Sequence, residues 1–301
     1  MNITNIISSV IALIAILTLC LQFYFNKRQK FDDKFYELLR LHRQNVNEMK
    51  IGLLIGRQVF KEIFYELYNC KIFVNNVFDE LTKETGDSSL ANPNDKEKKQ
   101  LADFYTGFDC IKRNSFTYQL FFQGIEFNHI FKVIYPNESI IQTEKNVIEA
   151  KLKEKFLKQY DSWQQGNFSI TEAKTTENKN PISYYKPYCG RSEWLGHYFR
   201  HLYQTVKFID KACLCEKAKY EYIKTLKAQL SEYEQAILFY HACSDLGTEW
   251  FENGKKSFIV KYRLIQHLPL LMVYDEESKD LSNKLFQILS EEEIKEYFKP
   301  D

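Results

Sequence analysis

The densest concentration of reactive side chains is the run Arg191-Ser-Glu-Trp-Leu-Gly-His197-Tyr-Phe-Arg200-His201-Leu-Tyr203-Gln204. On a helix, His197 and His201 lie one turn apart on one face, a spacing that lets two imidazoles share a metal ion. The hydrolytic version of that arrangement needs a Glu directly after the first His, but Tyr198 stands there and no third ligand is evident. No metal and no cofactor is therefore assigned. Arg191 and His197 form an Arg-x5-His pair, in which the guanidinium would neutralise a phosphate and the imidazole would move a proton as a ribose 2′-OH attacks it. These two are the candidate catalytic residues, and Arg200, His201 and Tyr203 are the candidate binding residues. A plainer reading of the run has Trp194, Tyr198 and Leu202 packing a core while Arg200 and the histidines make polar contacts.

The Arg-x5-His pair resembles the Arg-x(4-6)-His signature of HEPN ribonucleases, with Ser192 a compatible polar residue after the Arg. That resemblance implies a helical enzyme acting on RNA without a metal, commonly as a dimer with the pair duplicated at the interface. Cys213-Leu-Cys215, flanked by Lys211, Lys217 and Lys219, reads either as a thiol pair of lowered pKa or as two reduced structural cysteines. Seven cysteines at irregular spacing, without CxxC units, support neither a disulfide framework nor a structural zinc site. Phosphate-binding glycine loops, GxSxG elbows and kinase motifs are absent, which sets aside ATP-driven and serine-hydrolase chemistry. A net charge of +1, from 41 Lys+Arg against 40 Asp+Glu, gives no bulk attraction for nucleic acid.

The elements that carry these residues are expected to be helices. Only 10 Gly and 6 Pro serve 301 residues, too few turn-formers for a Gly-rich β architecture. The first segment is the most distinctive. No Asp, Glu, Lys or Arg precedes Lys27, and residues 6–25 (IISSVIALIAILTLCLQFYF) would rise ~30 Å as a helix, enough to cross a bilayer core. A cleaved signal peptide would begin with basic residues and end in small ones, and Leu19 before Cys20 does not fit a lipoprotein site. Lys27, Arg28 and Lys30 follow the span, so the positive-inside rule puts the remainder in the cytoplasm. The expected fold is all-α, an N-terminal transmembrane helix followed by a multi-helix cytoplasmic domain.

Beyond the basic flank, Phe31, Phe35, Leu38, His42, Val46 and Met49 recur at helical spacing up to residue 51, and Gly52 and Gly56 loosen or turn that helix. A second apolar stripe runs from Val59 to Leu81. Residues 85–95 form a loop, Leu101 to Ile111 a third helix, and 116–135 and 140–163 further helices. Residues 164–190 are polar and aperiodic, an exposed loop. Helices are then expected at 192–213, 217–229, 231–246, 251–268 and 282–298. Ser231 with Glu234 and Ser290 with Glu293 are capping boxes, Leu289 and Ile294 stand at staple positions, and Gly247 fits a left-handed C′ residue. The organisation is thus an anchor and flank at 1–30, an N-terminal helical region at 31–163, the loop at 164–190 and a C-terminal helical region at 191–301.

Four blocks carry a wider resemblance: FYELLRLHRQNV after the span, GRQVFKEIFYEL from Gly56, LGHYFRHLYQTVKFID from Leu195 and YEYIKTLKAQLSEYEQAILFYHACS from Tyr220. Together they look like the phage abortive infection proteins related to AbiC. The family's Arg-Ala-Gln-Leu-Ser run appears here with Lys227 for the Arg, which would keep a charge for phosphate but lose the bidentate fork. The resemblance implies bacterial defence in which the infected cell stops growing before phage is released. Three mechanisms are compatible: a membrane-anchored sensor binding a phage component through its helical domain, a ribonuclease using Arg191 and His197, and a membrane-permeabilising effector. Their partners would be a single-span membrane contact, a phage protein or RNA, and a second copy of the chain.

Overall fold

A computed structural model describes residues 3–51, 54–86, 110–124, 150–155, 157–158, 189–269, 272 and 288–299. It is mostly helical. Helix α1 (Ile3–Glu48) contains neither Gly nor Pro, so nothing interrupts its hydrogen-bond ladder over 46 residues. Its two halves have opposite surfaces. From Ile7 to Phe25 every side chain is exposed although most are large and apolar, whereas Phe35, Leu39, His42 and Val46 are buried at helical spacing. The exposed half is long and apolar enough to cross a membrane, and none of it is buried against the rest of the chain.

The helix stops before residue 51. Two short strands, β1 (Lys50–Ile51) and β2 (Leu54–Ile55), pair antiparallel with Ile51 opposite Leu54, and Gly56, at φ +69°, turns the chain into the next helix. The all-α expectation is corrected by this small hairpin alone among the described residues. Helix α2 (Arg57–Gly86) buries a continuous stripe from Val59 to Leu81 against α3 (Cys110–Gln123) and α6 (Glu232–Cys243). Helix α3 ends at Gly124, φ +94°, which meets Gly190, φ +95°, backbone to backbone. A Cβ on Gly124 would lie 2.6 Å from the Cys189 carbonyl, and Arg191 N–H donates to Phe122 O at 2.7 Å just beyond. This crossing fixes where α4 (Ser192–Asp210) begins.

Helix α4 packs on α1, and α5 (Glu216–Lys227) follows after a short link. Helix α6 is the innermost, with Glu234 to Phe239, His241 and Ala242 all buried. Both capping boxes form as expected, with Ser231–Glu234 starting α6 and Ser290–Glu293 starting α8 (Glu291–Tyr297). Side chains from regions 31–163 and 191–301 join one hydrophobic core.

Elsewhere the expected helices are shorter. The segment 251–268 forms only a 3-10 turn (Gly254–Lys256) and α7 (Phe258–Lys261). Asn253 and Arg263 take positive φ, and Ser257 caps α7 through Val260 N–H, so local polar bonds break up the apolar run. Helix α6 stops at Cys243 because Ser244 caps a following 3-10 turn (Asp245–Trp250). Gly247 is not left-handed, at φ −124°; its missing Cβ matters because one there would sit 2.3 Å from His241 O. The loop expected at 85–95 from residue 87 on, the third helix before Cys110, the parts of 116–135 and 140–163 beyond 116–124, 150–155 and 157–158, the loop at 164–188 and the segment 282–287 lie outside the described residues.

Candidate functional site: a groove between the first and fourth helices

Helices α1 and α4 run antiparallel. Phe31 stacks on Phe208 with centroids 4.8 Å apart, and His42 lies over His201 at 6.2 Å. Toward the C-terminal end of α1 the two helices border a groove of about 550 Å³. Asn45, Glu48 and Met49 form one wall, and Glu193, Trp194, His197, Arg200, His201 and Gln204 the other, with Tyr198 buried between them. The one-turn spacing of His197 and His201 does put both imidazoles on the groove, joined by the exposed Arg200. The result is a surface of imidazole, guanidinium and indole with the Glu193 and Glu48 carboxylates beside it, suited to a polar partner that offers hydrogen-bond donors or an aromatic face.

Behind the groove is a buried polar cluster. Tyr198 donates its O–H to Glu234 Oε1 at 3.1 Å, and the Ser231 N–H and O–H donate to Glu234 Oε2 at 2.8 and 2.7 Å. Glu234, only 1% exposed, therefore closes the α6 capping box with one oxygen and reaches α4 with the other. Burial raises its pKa, and the donors from Ser231 and Tyr198 oppose the rise. His42 Nε2 is 4.0 Å from the same Oε1. Burial first, and then the positive neighbours His201, Arg57 and Arg43, lower the His42 pKa to about 4, so at neutral pH this contact is not an ion pair. Burial also lowers the pKa of His201. The ring nitrogens of both histidines lack a hydrogen-bond partner among the described residues. Arg57 and Arg43 hold the α5–α6 turn from outside, donating to Gln229 O at 2.8 Å and Gln229 Oε1 at 3.0 Å.

Arg191 does not line this groove. It sits at the start of α4, 6% exposed, with Nε and a terminal guanidinium nitrogen both 2.8 Å from Glu66 Oε2 on α2. Arg191 and His197 are thus held in different surroundings, one in a buried ion pair and the other on the groove wall. Tyr203 faces away as well, edge-on to Trp250 at 5.2 Å and against Phe258 at 5.4 Å. Lys227 is 1% exposed and donates to Gln266 Oε1 at 2.7 Å, with Tyr220 O–H at 3.3 Å; its charge is directed inward and not to an external phosphate. Cys213 and Cys215 are both exposed in the α4–α5 link. Among the described residues no three His, Cys, Asp or Glu side chains gather where a metal ion would fit.

Reading the sequence alone singled out one wall of the groove and missed the other. Asn45 and Glu48 carry no local signal; only the apolar stripe that buries Val46 and Met49 hints that their helix packs on a partner. The two roles of Glu234 were half legible, since its capping box is local and its contact with Tyr198 spans 36 residues.

No curated protein and no solved structure matches the chain. Residues 190–271, from the start of α4 past α7, are similar to the family described as "Putative phage abortive infection protein", so the matched region includes the α4 wall of the groove and the whole of α6.

Proposed function

We propose that this chain is a membrane-anchored phage-defence protein that detects a phage component through its helical domain. The defence role is supported by the family match over residues 190–271. The anchor is supported by the exposed apolar half of α1, and a cytoplasmic domain by Lys27, Arg28 and Lys30 directly after it. One observation carries the mechanism: the helix that would span the membrane is the same uninterrupted helix that forms a wall of the α1–α4 groove. A partner seated between α1 and α4 would act directly on a rigid rod reaching the bilayer.

The test compares the full chain with a chain starting at residue 31, both expressed in bacteria challenged with phage. The full chain should fractionate with membranes and reduce plaque number, while the shortened chain should be soluble and give no protection. Equal protection by the two would overturn the anchored mechanism. No protection by the full chain against a broad phage panel would overturn the defence role.

A further inference from the structure

The end of the domain opposite the groove has its own surface, fixed by register. Because Phe31 stacks on Phe208 and α4 runs antiparallel to α1, Lys211 lies about one helical turn further along, level with Lys27 and Arg28. Helix α5 starts at the same level. Tyr222 packs on Phe31 at 5.0 Å and Phe35 at 4.8 Å, and Gln229 reaches Arg43 further down, so α5 runs parallel to α1. Arg28 lies over the Tyr222 ring at 5.2 Å, and Tyr222 O–H donates to Asp32. The α4–α5 corner is therefore clamped beside α1 directly below its exposed apolar half.

The corner's charges are unequal in availability. Two of its acidic groups are already engaged, Asp210 and Glu216 by Lys261 at 2.6 and 3.1 Å and Glu216 also by Lys219 at 2.9 Å, while Glu221 stays exposed one turn along α5 from Lys217. Lys207, whose ammonium lies over the Tyr203 ring at 5.4 Å, Lys211 and Lys217 make no ion pair among the described residues, and neither do Lys27 and Lys30 on α1. Lys207 and Lys211, one turn apart, rim a pocket of about 370 Å³ whose other walls include Phe31, Phe208 and Ala212. Cationic rim, aromatic floor and a position at the foot of an apolar helix form one continuous surface.

We infer that the α4–α5 corner is a second membrane contact, in which Lys207, Lys211 and Lys217 engage anionic phospholipid headgroups of the leaflet that α1 leaves. This rests on the anchor reading above. Charge complementarity and continuity with the apolar helix argue for lipid as the occupant. The contact would fix the domain's tilt, because a single helix leaves rotation free whereas a second point against the surface does not.

The test uses the full chain in nanodiscs of phosphatidylcholine alone or mixed with phosphatidylglycerol, with amide exchange read for the 211–215 link and for residues 7–25. Exchange in the link should slow about tenfold in the anionic discs only, and the slowing should vanish in a Lys207→Gln, Lys211→Gln, Lys217→Gln variant of unchanged melting temperature. Protection of 7–25 should be the same in both lipids and both proteins. Equal link exchange in the two lipids, with 7–25 protected, would overturn the corner contact and spare the anchor. Unprotected 7–25 would overturn the anchor and the corner contact with it. If the triple variant melts lower, Lys217→Gln alone, on an exposed side chain, should still give a partial loss of slowing, and its absence counts against the proposal.

Discussion

His42 on α1 and His201 on α4 face each other with ring centroids 6.2 Å apart and planes 25° from parallel, one fully buried and the other on the groove wall. The pair couples acidity to stability. The His42 pKa falls from 6.5 to about 4 on folding, so the unfolded chain binds this proton more readily than the native one. The contribution of a neutral His42 is complete above pH 6.5 and is lost as pH falls toward 4, amounting to about 3 kcal/mol. His241, stacked on Phe199 at 4.0 Å and lowered to about 3 by burial, acts in the same direction. Glu234 acts oppositely, since a raised carboxyl pKa favours the fold as pH falls. Melting temperature measured from pH 7.5 to 4.5 should therefore drop, and His42→Phe should flatten the profile without lowering the value at pH 7.5. An unchanged profile in that variant would show that His42 is not the titrating group.

Arg191 should behave as a structural ion. Arg191→Ala removes the buried guanidinium from Glu66, a loss of about 3 to 5 kcal/mol, whereas Arg191→Met combined with Glu66→Leu should recover most of it. Thermal melts and plaque assays on the same variants separate stability from chemistry. Protection restored in the double variant removes the ribonuclease reading; protection absent despite restored stability revives it.

How much of this was legible beforehand depends on range. The capping boxes at Ser231 and Ser290 and the apolar run of α1 are local patterns, and each appears where its residues dictate. The Arg191–Glu66 pair spans 125 residues, and no local spacing encodes it. The 251–268 segment misled for a different reason: its apolar residues recur as in a helix, but Asn253-Gly254 and Ser257 offer the backbone competing turns, and burial of Ile259, Leu264 and Ile265 is met without a long helix. Gly247 was legible as a required glycine, while the reason, contact with the His241 carbonyl, belongs to tertiary structure.

The groove wall and the core face of α4 should separate on mutation. His197 and Arg200 are exposed, so alanine at either should change stability by less than about 0.5 kcal/mol yet abolish phage protection. Tyr203→Ala should instead cost about 3 kcal/mol by emptying the space against Trp250 and Phe258, with protection falling in step with protein level. Protection that survives in both His197→Ala and Arg200→Ala would remove the groove as the working site.

Two glycines should respond with opposite signs. Gly196 lies inside α4, and an added Cβ would meet only the Phe122 ring, at 3.8 Å, so Gly196→Ala should gain about 0.5 to 1 kcal/mol from helix propensity. Gly247→Ala would force a Cβ to 2.3 Å from a backbone oxygen and should destabilise by about 1 to 3 kcal/mol. Urea denaturation of the two variants at one temperature decides both signs.

The unbroken course of α1 provides the most direct test of the proposed mechanism. No side chain from residue 7 to 25 is buried in the domain; contact with it begins at Arg28 and full burial at Phe35, so the domain's stability does not draw on the apolar half. Two glycines inserted between Asn26 and Lys27 would each cost about 1 kcal/mol of helix propensity and create a swivel there. Neither the apolar length needed for insertion nor the contacts of α4 and α5 with residues 28–35 would change. Membrane fractionation and the domain's melting temperature should therefore match the parent, while plaque protection should be lost, because groove and bilayer would no longer share one rod. Protection at the parental level in that variant would mean that the helix only tethers the domain, and the rod would have no part in signalling.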